Sequence, residues 1–238
     1  MRWPKLTNAR CGKNWTSKPA QHSAFAKSWV LVKKGALKKR GIFIKRQAVR
    51  IVAGEQRGVR LSAPPGRVLR PTADRVRESI FNILAHGQLP APELFCATVL
   101  DVFAGTGALG LEALSRGAGQ AFFIEKNRIA LGSLRENITR CRREDQSVIY
   151  EVDALKPPRG ASVDFVFIDP PYRDGLMASA LDALGAAGWF GPATIIIAEM
   201  AADDVSPEGW PCLQTRRYGA ARVDFLGIES ADQGQGDQ

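Results

Sequence analysis

Residues 98–125 read TVLDVFAGTGALGLEALSRGAGQAFFIE and contain the pattern that decides the fold. The apolar run 98–103 predicts a buried strand, and a glycine-rich turn then leads into a helix over 107–116. A second apolar run, 121–125, predicts the next strand. This order is typical of a parallel β-α-β unit, in which the turn after the first strand approaches a ligand.

The rest of the chain continues this alternation. Two further helices and three further strands are predicted, over 128–142, 147–152, 163–169, 176–187 and 194–200. The end of the sequence predicts two strands joined at Gly219, which would add an antiparallel edge. We therefore expect an α/β fold with a doubly wound, mostly parallel, Rossmann-like sheet whose last strand is antiparallel.

A hairpin and a helix are predicted to precede this core. The β-rich pieces VRIVAG and GVRLSAP surround EQRG, which favours a hairpin, and prolines 64, 65 and 71 mark a linker. From Thr72 the sequence TADRVRESIFNIL predicts a helix, because its apolar side chains fall on one stripe. Those side chains are Val76, Ile80, Phe81 and Leu84.

Positive charge is concentrated at the start of the chain. Of 238 residues, 33 are Lys or Arg and 24 are Asp or Glu, which gives a net charge of +9. Fourteen basic residues precede Glu55, the first acidic residue, so the remainder carries 19 basic against 24 acidic side chains. We predict a disordered basic extension over 1–46, one domain over 47–230 and a polar tail over 231–238. Within the domain we place the hairpin and linker at 47–70, the helix at 72–86 and the core at 98–229.

Composition limits the class of protein. Hydrophobic residues make up 45% and charged residues 24% of the chain, which is the balance of a soluble globular protein. No apolar run approaches the ~20 residues of a membrane span, and the four cysteines form no CxxC pair. The two histidines have no second ligand at metal spacing, so we expect no metal site. We expect a reduced, cytoplasmic protein, although the acid-free start is also compatible with an organellar transit peptide.

Acidic residues flank the glycine turn where a nucleoside cofactor needs them. Asp101 ends the strand before the turn, and Glu125 ends the next strand, 20 residues after Gly105. A carboxylate at the position of Glu125, at the end of the second strand, accepts hydrogen bonds from ribose hydroxyls. Because Gly105, Gly107 and Gly110 also spell GxGxxG, the spacing alone leaves a dinucleotide open.

The Asp101-x-Phe103-x-Gly105-x-Gly107 form nevertheless resembles the S-adenosylmethionine motif of class I methyltransferases. In that family an acidic residue just after the third strand lies beside the adenine, and Asp153 matches that position. A simple turn-forming aspartate is an equally good interpretation of Asp153 taken alone.

The motif Asp169-Pro170-Pro171-Tyr172 directly follows the apolar strand VDFVFI. The two prolines end the strand and hold the loop extended, which presents the Asp169 carboxylate and the Pro170 carbonyl as adjacent acceptors. The amine of a nucleobase can donate one N–H to each acceptor, while its ring stacks on Tyr172. The motif therefore predicts a site that holds an amine for methylation.

Arginines crowd the segment before the core. Either they form a polar surface or, because the guanidinium fork suits phosphate oxygens, they contact RNA. The candidates for RNA contact are Arg50, Arg57, Arg60, Arg70, Arg75 and Arg77. Arg77 could instead pair with Glu78 or Glu112.

Four segments together closely resemble the RsmD family, which methylates N2 of a guanine in bacterial 16S ribosomal RNA. They are RPTADRVRESIFNIL, DVFAGTGALGLEALSRGA, FIEKN and FIDPPYRDG, and VRIVAGEQRGVRL resembles the family's N-terminal hairpin. The resemblance runs from about Val49 to Glu229, so residues 1–46 depart from it.

The resemblance implies S-adenosylmethionine as cofactor and 16S rRNA or the small ribosomal subunit as partner, with position 966 in the usual rRNA numbering as target. It implies that Asp101, Phe103, Gly105 and Gly107 line the methionine and ribose end of the cofactor. Glu125 would bind the ribose and Asp153 would face the adenine. Asp169, Pro170 and Tyr172 would hold the guanine, with Arg75 and Arg77 near its entrance. We expect a monomer without membrane or metal partners.

Two rival functions remain open. A DNA adenine-N6 methyltransferase would use the same acceptor pair, but no separate target-recognition domain is evident in the sequence. A non-catalytic RNA-binding protein would not need the amine-holding motif. Pro211-Cys212 spells the dipeptide of cytosine-C5 methyltransferases, but it lies past the fifth predicted strand, so we predict a buried structural cysteine.

Overall fold

The computed structural model describes residues 49–63, 72–86, 89–171 and 175–228. Several predictions fall outside these residues and stay predictions. They concern the extension 1–46, the linker prolines, Arg70, Tyr172 and the polar tail.

The described residues form four α-helices and seven strands, close to the predicted bounds. The helices are α1 Thr72–Ala85, α2 Ala108–Ser115, α3 Arg128–Cys141 and α4 Leu176–Ala186. The strands are β1 Thr98–Val102, β2 Gln120–Ile124, β3 Ser147–Tyr150, β4 Phe165–Ile168, β5 Ile195–Ala201, β6 Cys212–Tyr218 and β7 Ala221–Leu226. In the part of the chain that is described, no helix is long and apolar enough to cross a membrane.

All seven strands belong to one sheet, in the order β3-β2-β1-β4-β5-β7-β6. The first five strands pair in parallel, and β7 pairs antiparallel with both β5 and β6. The predicted mostly parallel sheet with an antiparallel last strand is therefore confirmed. The last strand, β7, lies between β5 and β6, so β6 forms the edge of the sheet.

Alternate residues of the central strands are buried on opposite faces of the sheet. Val99, Phe123 and Phe167 pack into one apolar cluster with residues from α1, α2 and α3. Leu100 and Ile168 pack into a second cluster with residues from α4. Helices on both faces account for the continuous apolar runs of the strands and make the sheet doubly wound.

The N-terminal hairpin is a tight turn with one antiparallel bridge, between Arg50 and Arg60. Ile51 N donates to Val59 O at 2.9 Å on the same two segments. The turn rests on α2, because the Glu112 carboxylate accepts from Val52 N at 2.7 Å and from the next backbone N–H at 2.9 Å. The predicted apolar stripe of α1 is confirmed, since Val76, Ile80, Phe81 and Leu84 are all buried.

Candidate active site at the carboxyl edge of the sheet

The glycine turn begins directly after β1 and contains three residues in the left-handed region. Phe103 has φ 58°, Gly105 has φ 58° and Gly107 has φ 74°. Glycine adopts this conformation freely, but a bulky residue such as Phe103 does so rarely and at a cost in strain. A Cβ on Gly107 would lie 2.3 Å from Leu134 Cδ1, so α2 and α3 approach closely there. Strain of this kind clusters at ligand sites, which is why the turn is a candidate.

Glu125 holds the glycine turn in place from the end of β2. Its Oε2 accepts a hydrogen bond from Gly105 N at 2.8 Å, and its Oε1 accepts one from Asn127 N at 2.7 Å. The structure thus brings together the turn and the acidic residue that the sequence placed beside it. A carboxylate has about four lone-pair directions, so both oxygens keep acceptor capacity for hydroxyl groups.

Asp153 lies in the loop after β3 and is fixed by two contacts. Its Oδ1 accepts from Leu155 N at 3.1 Å, and its Oδ2 pairs with Lys126 Nζ at 2.7 Å. The Lys126 hydrogen bond, with help from the Leu155 amide, lowers the pKa of the Asp153 carboxyl. Because Lys126 directly follows Glu125, this ion pair joins the ends of β2 and β3.

Asp101 is buried in β1, and its Oδ2 accepts from Gly110 N at 2.9 Å on α2. Burial raises the pKa of Asp101 to about 8, against the opposing effect of the Gly110 hydrogen bond. The nearby carboxylates of Asp169 and Glu125 contribute to this raised pKa. Asp101 is therefore mostly protonated at neutral pH and joins α2 to β1, a role that the sequence did not reveal. Its contact with a cofactor stays a prediction.

Asp169 and Pro170 follow β4 at the same edge of the sheet, and both are half-buried. β4 pairs with β1 through Val102 and Ile168, so Asp169 emerges beside the glycine turn. The effect of Asp169 on the pKa of Asp101 reflects this proximity. Carboxylates from three different strand ends thus converge, as expected where an α/β sheet binds ligands.

A cleft of about 480 Å³ opens beside Asp169 and was not predicted. Its walls are Pro170, Pro171, Gly175, Met177, Ala178, Glu199, Met200, Ala201, Asp204, Val205 and Pro207. The sequence did contain one signal for it, because Glu199 interrupts the otherwise apolar strand TIIIAEM.

The loop between β5 and β6, which forms one wall of the cleft, is held by Arg222 and Asp224. Arg222 Nη1 donates to Asp204 O at 2.7 Å, and its Nε donates to Asp224 Oδ1 at 2.8 Å. Asp224 is fully buried and also accepts from Ser206 Oγ at 2.7 Å. The cleft wall thus depends on a buried ion pair in β7.

The predicted RNA-contacting arginines divide into two groups. Arg57, Arg60 and Arg75 are exposed, and the Arg50 side chain is 63% exposed although it pairs with Asp74 at 3.4 Å. These four side chains are accessible to a polyanion, and three of them lie on the N-terminal hairpin.

Arg77 requires a correction. It is 5% exposed, and its Nη2 donates to Arg50 O at 2.7 Å and to Asp74 Oδ1 at 2.8 Å. Its Nε lies 3.6 Å from Glu112 Oε2, so the alternative pairing with Glu112 is the one observed. Arg77 joins the hairpin, α1 and α2, and a buried guanidinium in this position does not contact RNA at the surface.

The prediction of a buried Cys212 is wrong, because this residue is exposed at the start of the edge strand β6. An edge strand has one neighbour and leaves its side chains more accessible than an inner strand does. Among the described residues, no group of three or more His, Cys, Asp or Glu side chains could hold a metal ion.

Comparison with known proteins gives a consistent result. The family model described as "Conserved hypothetical protein 95" matches residues 49–227. Ribosomal RNA small subunit methyltransferase D of Escherichia coli K12 is 35% identical over 193 residues, which cover 79% of this chain and 93% of that protein. The protein of the same name from Haemophilus influenzae is 36% identical over 178 residues, covering 72% and 89%.

A solved structure shows the same fold. The yhhF protein of Escherichia coli, a provisionally assigned methyltransferase, superposes with a TM-score of 0.66 at 34% identity. The match covers 77% of this chain and 99% of that one. The residues matched by the family model, 49–227, include the hairpin, α1 and the whole sheet, and not the glycine turn alone.

Proposed function

The chain belongs to the RsmD family of ribosomal RNA small subunit methyltransferases, and we propose that it methylates the N2 amine of one guanine in 16S rRNA. Family membership, which the sequence motifs predicted, makes S-adenosylmethionine the methyl donor. The observation that carries the amine-methylation part of the proposal is the position of Asp169 and Pro170 at the end of β4, beside the glycine turn that follows β1. The choice of guanine and of its N2 amine is taken from the family resemblance. Position 966 in the usual rRNA numbering, the target predicted from the resemblance, is part of the same proposal.

The residues at the glycine turn fit this cofactor. Glu125 is oriented by two backbone N–H groups and can accept from ribose hydroxyls. Asp153, held by the Leu155 amide, faces the adenine in this proposal. Phe103, Gly105 and Gly107, together with Asp101, would line the methionine end. When bound, the cofactor supplies an electrophilic methyl group on a positively charged sulfur.

Asp169 and Pro170 perform the amine-holding step. Each offers one acceptor oxygen, so the two N–H groups of the amine are bound and its lone pair is free to attack. Nitrogen gains positive charge during the transfer, and the Asp169 carboxylate stabilises that charge. A protonated Asp101 places no second negative charge beside Asp169.

Exposed arginines supply the RNA-facing surface in this proposal. Arg57, Arg60 and Arg75, together with Arg50, would bind phosphates and orient the RNA without reading its sequence. We place the reaction in the cytoplasm, where ribosomal subunits are assembled. We also propose a monomer.

The proposal is tested by incubating the full chain and labelled cofactor with small ribosomal subunits, naked 16S rRNA and duplex DNA. We expect label in rRNA, recovered after digestion as N2-methylguanine. Label in DNA adenine, or no transfer to either RNA substrate, would contradict the proposal.

A further inference from the structure

We propose that Glu199 determines the choice of base, by accepting a hydrogen bond from N1–H of the target guanine. This inference rests on the proposed function, since it concerns the base whose amine Asp169 and Pro170 hold. In this inference, the cleft lined by Glu199 recognises the edge of the base that carries N1–H, next to the amine.

Strand register places Glu199 beside Asp169. The parallel strands β4 and β5 pair Ile168 with Ala198, and the next residue on each strand is Asp169 and Glu199. Neighbouring strands lie about 4.8 Å apart, and residues in register direct their side chains to the same face. Both residues are half-buried, and the register places them side by side where β4 ends.

The cleft at this position suits a purine. Its volume of about 480 Å³ falls within the ~300–1,000 Å³ typical of ligand pockets. Met177, Met200 and Val205 give it apolar walls against which a flat ring can pack, and Val205 is 85% exposed. The cleft also contains Asp204, which lies in the loop after β5 and whose Oδ2 accepts from Ala201 N at 2.8 Å.

The chemistry of the base explains why a further acceptor is needed. The Asp169 carboxylate and the Pro170 carbonyl can bind the amine of guanine or of adenine equally well. Guanine also has an N1–H next to its amine, whereas N1 of adenine carries a lone pair. The Glu199 carboxylate can accept a hydrogen bond from N1–H of guanine, but it repels the N1 lone pair of adenine. It therefore selects guanine, which the oxygens of Asp169 and Pro170 alone would not do.

The test uses 2-aminopurine, which keeps the methyl-accepting amine but has a lone pair at N1. Small subunits are reconstituted with 16S rRNA that carries either guanine or 2-aminopurine at the methylated position. Methyl transfer by the full-length wild type, E199Q and the control D203N is then measured as kcat/KM. Asp203 is a suitable control because it is an exposed acid in the neighbouring loop and does not line the cleft.

We expect the wild type and D203N to prefer guanine by about 10- to 100-fold, the effect of losing a hydrogen bond to a charged group. In E199Q the amide can donate to N1 of 2-aminopurine. The ratio of kcat/KM for guanine to that for 2-aminopurine should therefore fall at least about tenfold. An unchanged preference in E199Q, even with lower rates, would overturn the inference, and so would a wild type that methylates both bases equally well. Absence of transfer to any RNA base would instead contradict the proposed function.

Discussion

The two halves of the candidate site are built differently. In the cofactor half, which comprises residues 103–107 with Glu125 and Asp153, carboxylates bind backbone N–H groups of adjacent turns. In the substrate half, which comprises Asp169, Pro170 and the cleft, the wall is held from a distance by Arg222 and Asp224. The first half is therefore fixed by local contacts, and the second depends on the packing of β7.

This difference is physically reasonable for a methyltransferase. A small cofactor needs one preorganised set of acceptors, which short backbone contacts provide. A base that is part of a large RNA must enter and leave, and loops supported by one buried network allow that. Substitutions in the two halves should therefore have separable effects on cofactor binding and on methyl transfer.

The largest effect is expected at Asp169. Replacement by alanine removes one of the two amine acceptors and the stabilising charge, and we expect methyl transfer to fall by about 10³-fold or more. Cofactor affinity should stay within a few-fold of the wild type, because Asp169 belongs to the substrate half. Single-turnover kinetics and calorimetric titration measure the two quantities. An equal loss of both would show that Asp169 is structural.

A large effect on stability is expected at Asp224. Burial opposes the charged form, but the bonds from Arg222, Ser206 and Thr215 outweigh it and lower the pKa of Asp224. Asp224→Ala leaves Arg222 unpaired and should cost about 3 kcal/mol of unfolding free energy. Because the pKa is lowered, this contribution is present at neutral pH and declines as the pH falls through the acidic range.

Denaturant unfolding at pH 7 and at pH 3, which lies below the ordinary carboxyl pKa of 3.8, checks this prediction, with Asp182→Ala as a control on the exposed side of α4. The difference between wild type and Asp224→Ala should shrink at the lower pH. A difference that is the same at both values would mean that the Arg222–Asp224 pair does not supply the stability.

A smaller, selective effect is expected at Glu125. Alanine removes the acceptor for Gly105 N and for the ribose, so cofactor affinity should drop by about 10- to 50-fold. The exposed Glu151, which pairs only with Arg135 among the described residues, offers a matched control as Glu151→Ala. Calorimetry on both variants measures the change. Similar losses in both would argue against a specific role for Glu125.

The last effect concerns the protonation of Asp101 and is spread over several pH units. Its folded-state pKa is raised from 3.8 to about 8, so its contribution to stability is complete at acidic pH and is lost as the pH rises toward 8. Asp101→Asn keeps an acceptor for Gly110 N and removes the titration. Relative to this variant, the wild type should lose about 1 kcal/mol per pH unit between pH 5 and pH 8. If the unfolding free energies of the wild type and Asp101→Asn change with pH in the same way, Asp101 is not protonated in the folded protein.

The sequence predicted the strands and helices well because apolar runs and the glycine turn are local signals. The approach of Glu125 to Gly105 was also predictable, since both residues lie at fixed points of one β-α-β unit. Partners that are distant in sequence were harder to predict. Arg77 was predicted as an RNA contact, with Glu78 or Glu112 as alternative partners, and no local signal shows that it packs against Glu112.

Features of the sheet edge escaped prediction for the same reason. Cys212 was expected to be buried because cysteine usually is, but its strand has a neighbour on one side only. The register of β4 and β5 places Glu199 next to the position of Asp169, and the cleft lined by Glu199 is formed by segments far apart in the sequence. Such contacts follow from the assembled sheet and not from any one segment.

The most direct test is mass mapping of 16S rRNA from cells that lack this protein. We predict that one N2-methylguanine disappears from the rRNA, and that it returns when the wild-type chain is restored but not when Asp169→Ala is supplied. An unchanged methylation map, or full restoration by Asp169→Ala, would contradict the role assigned to the oxygens at the end of β4.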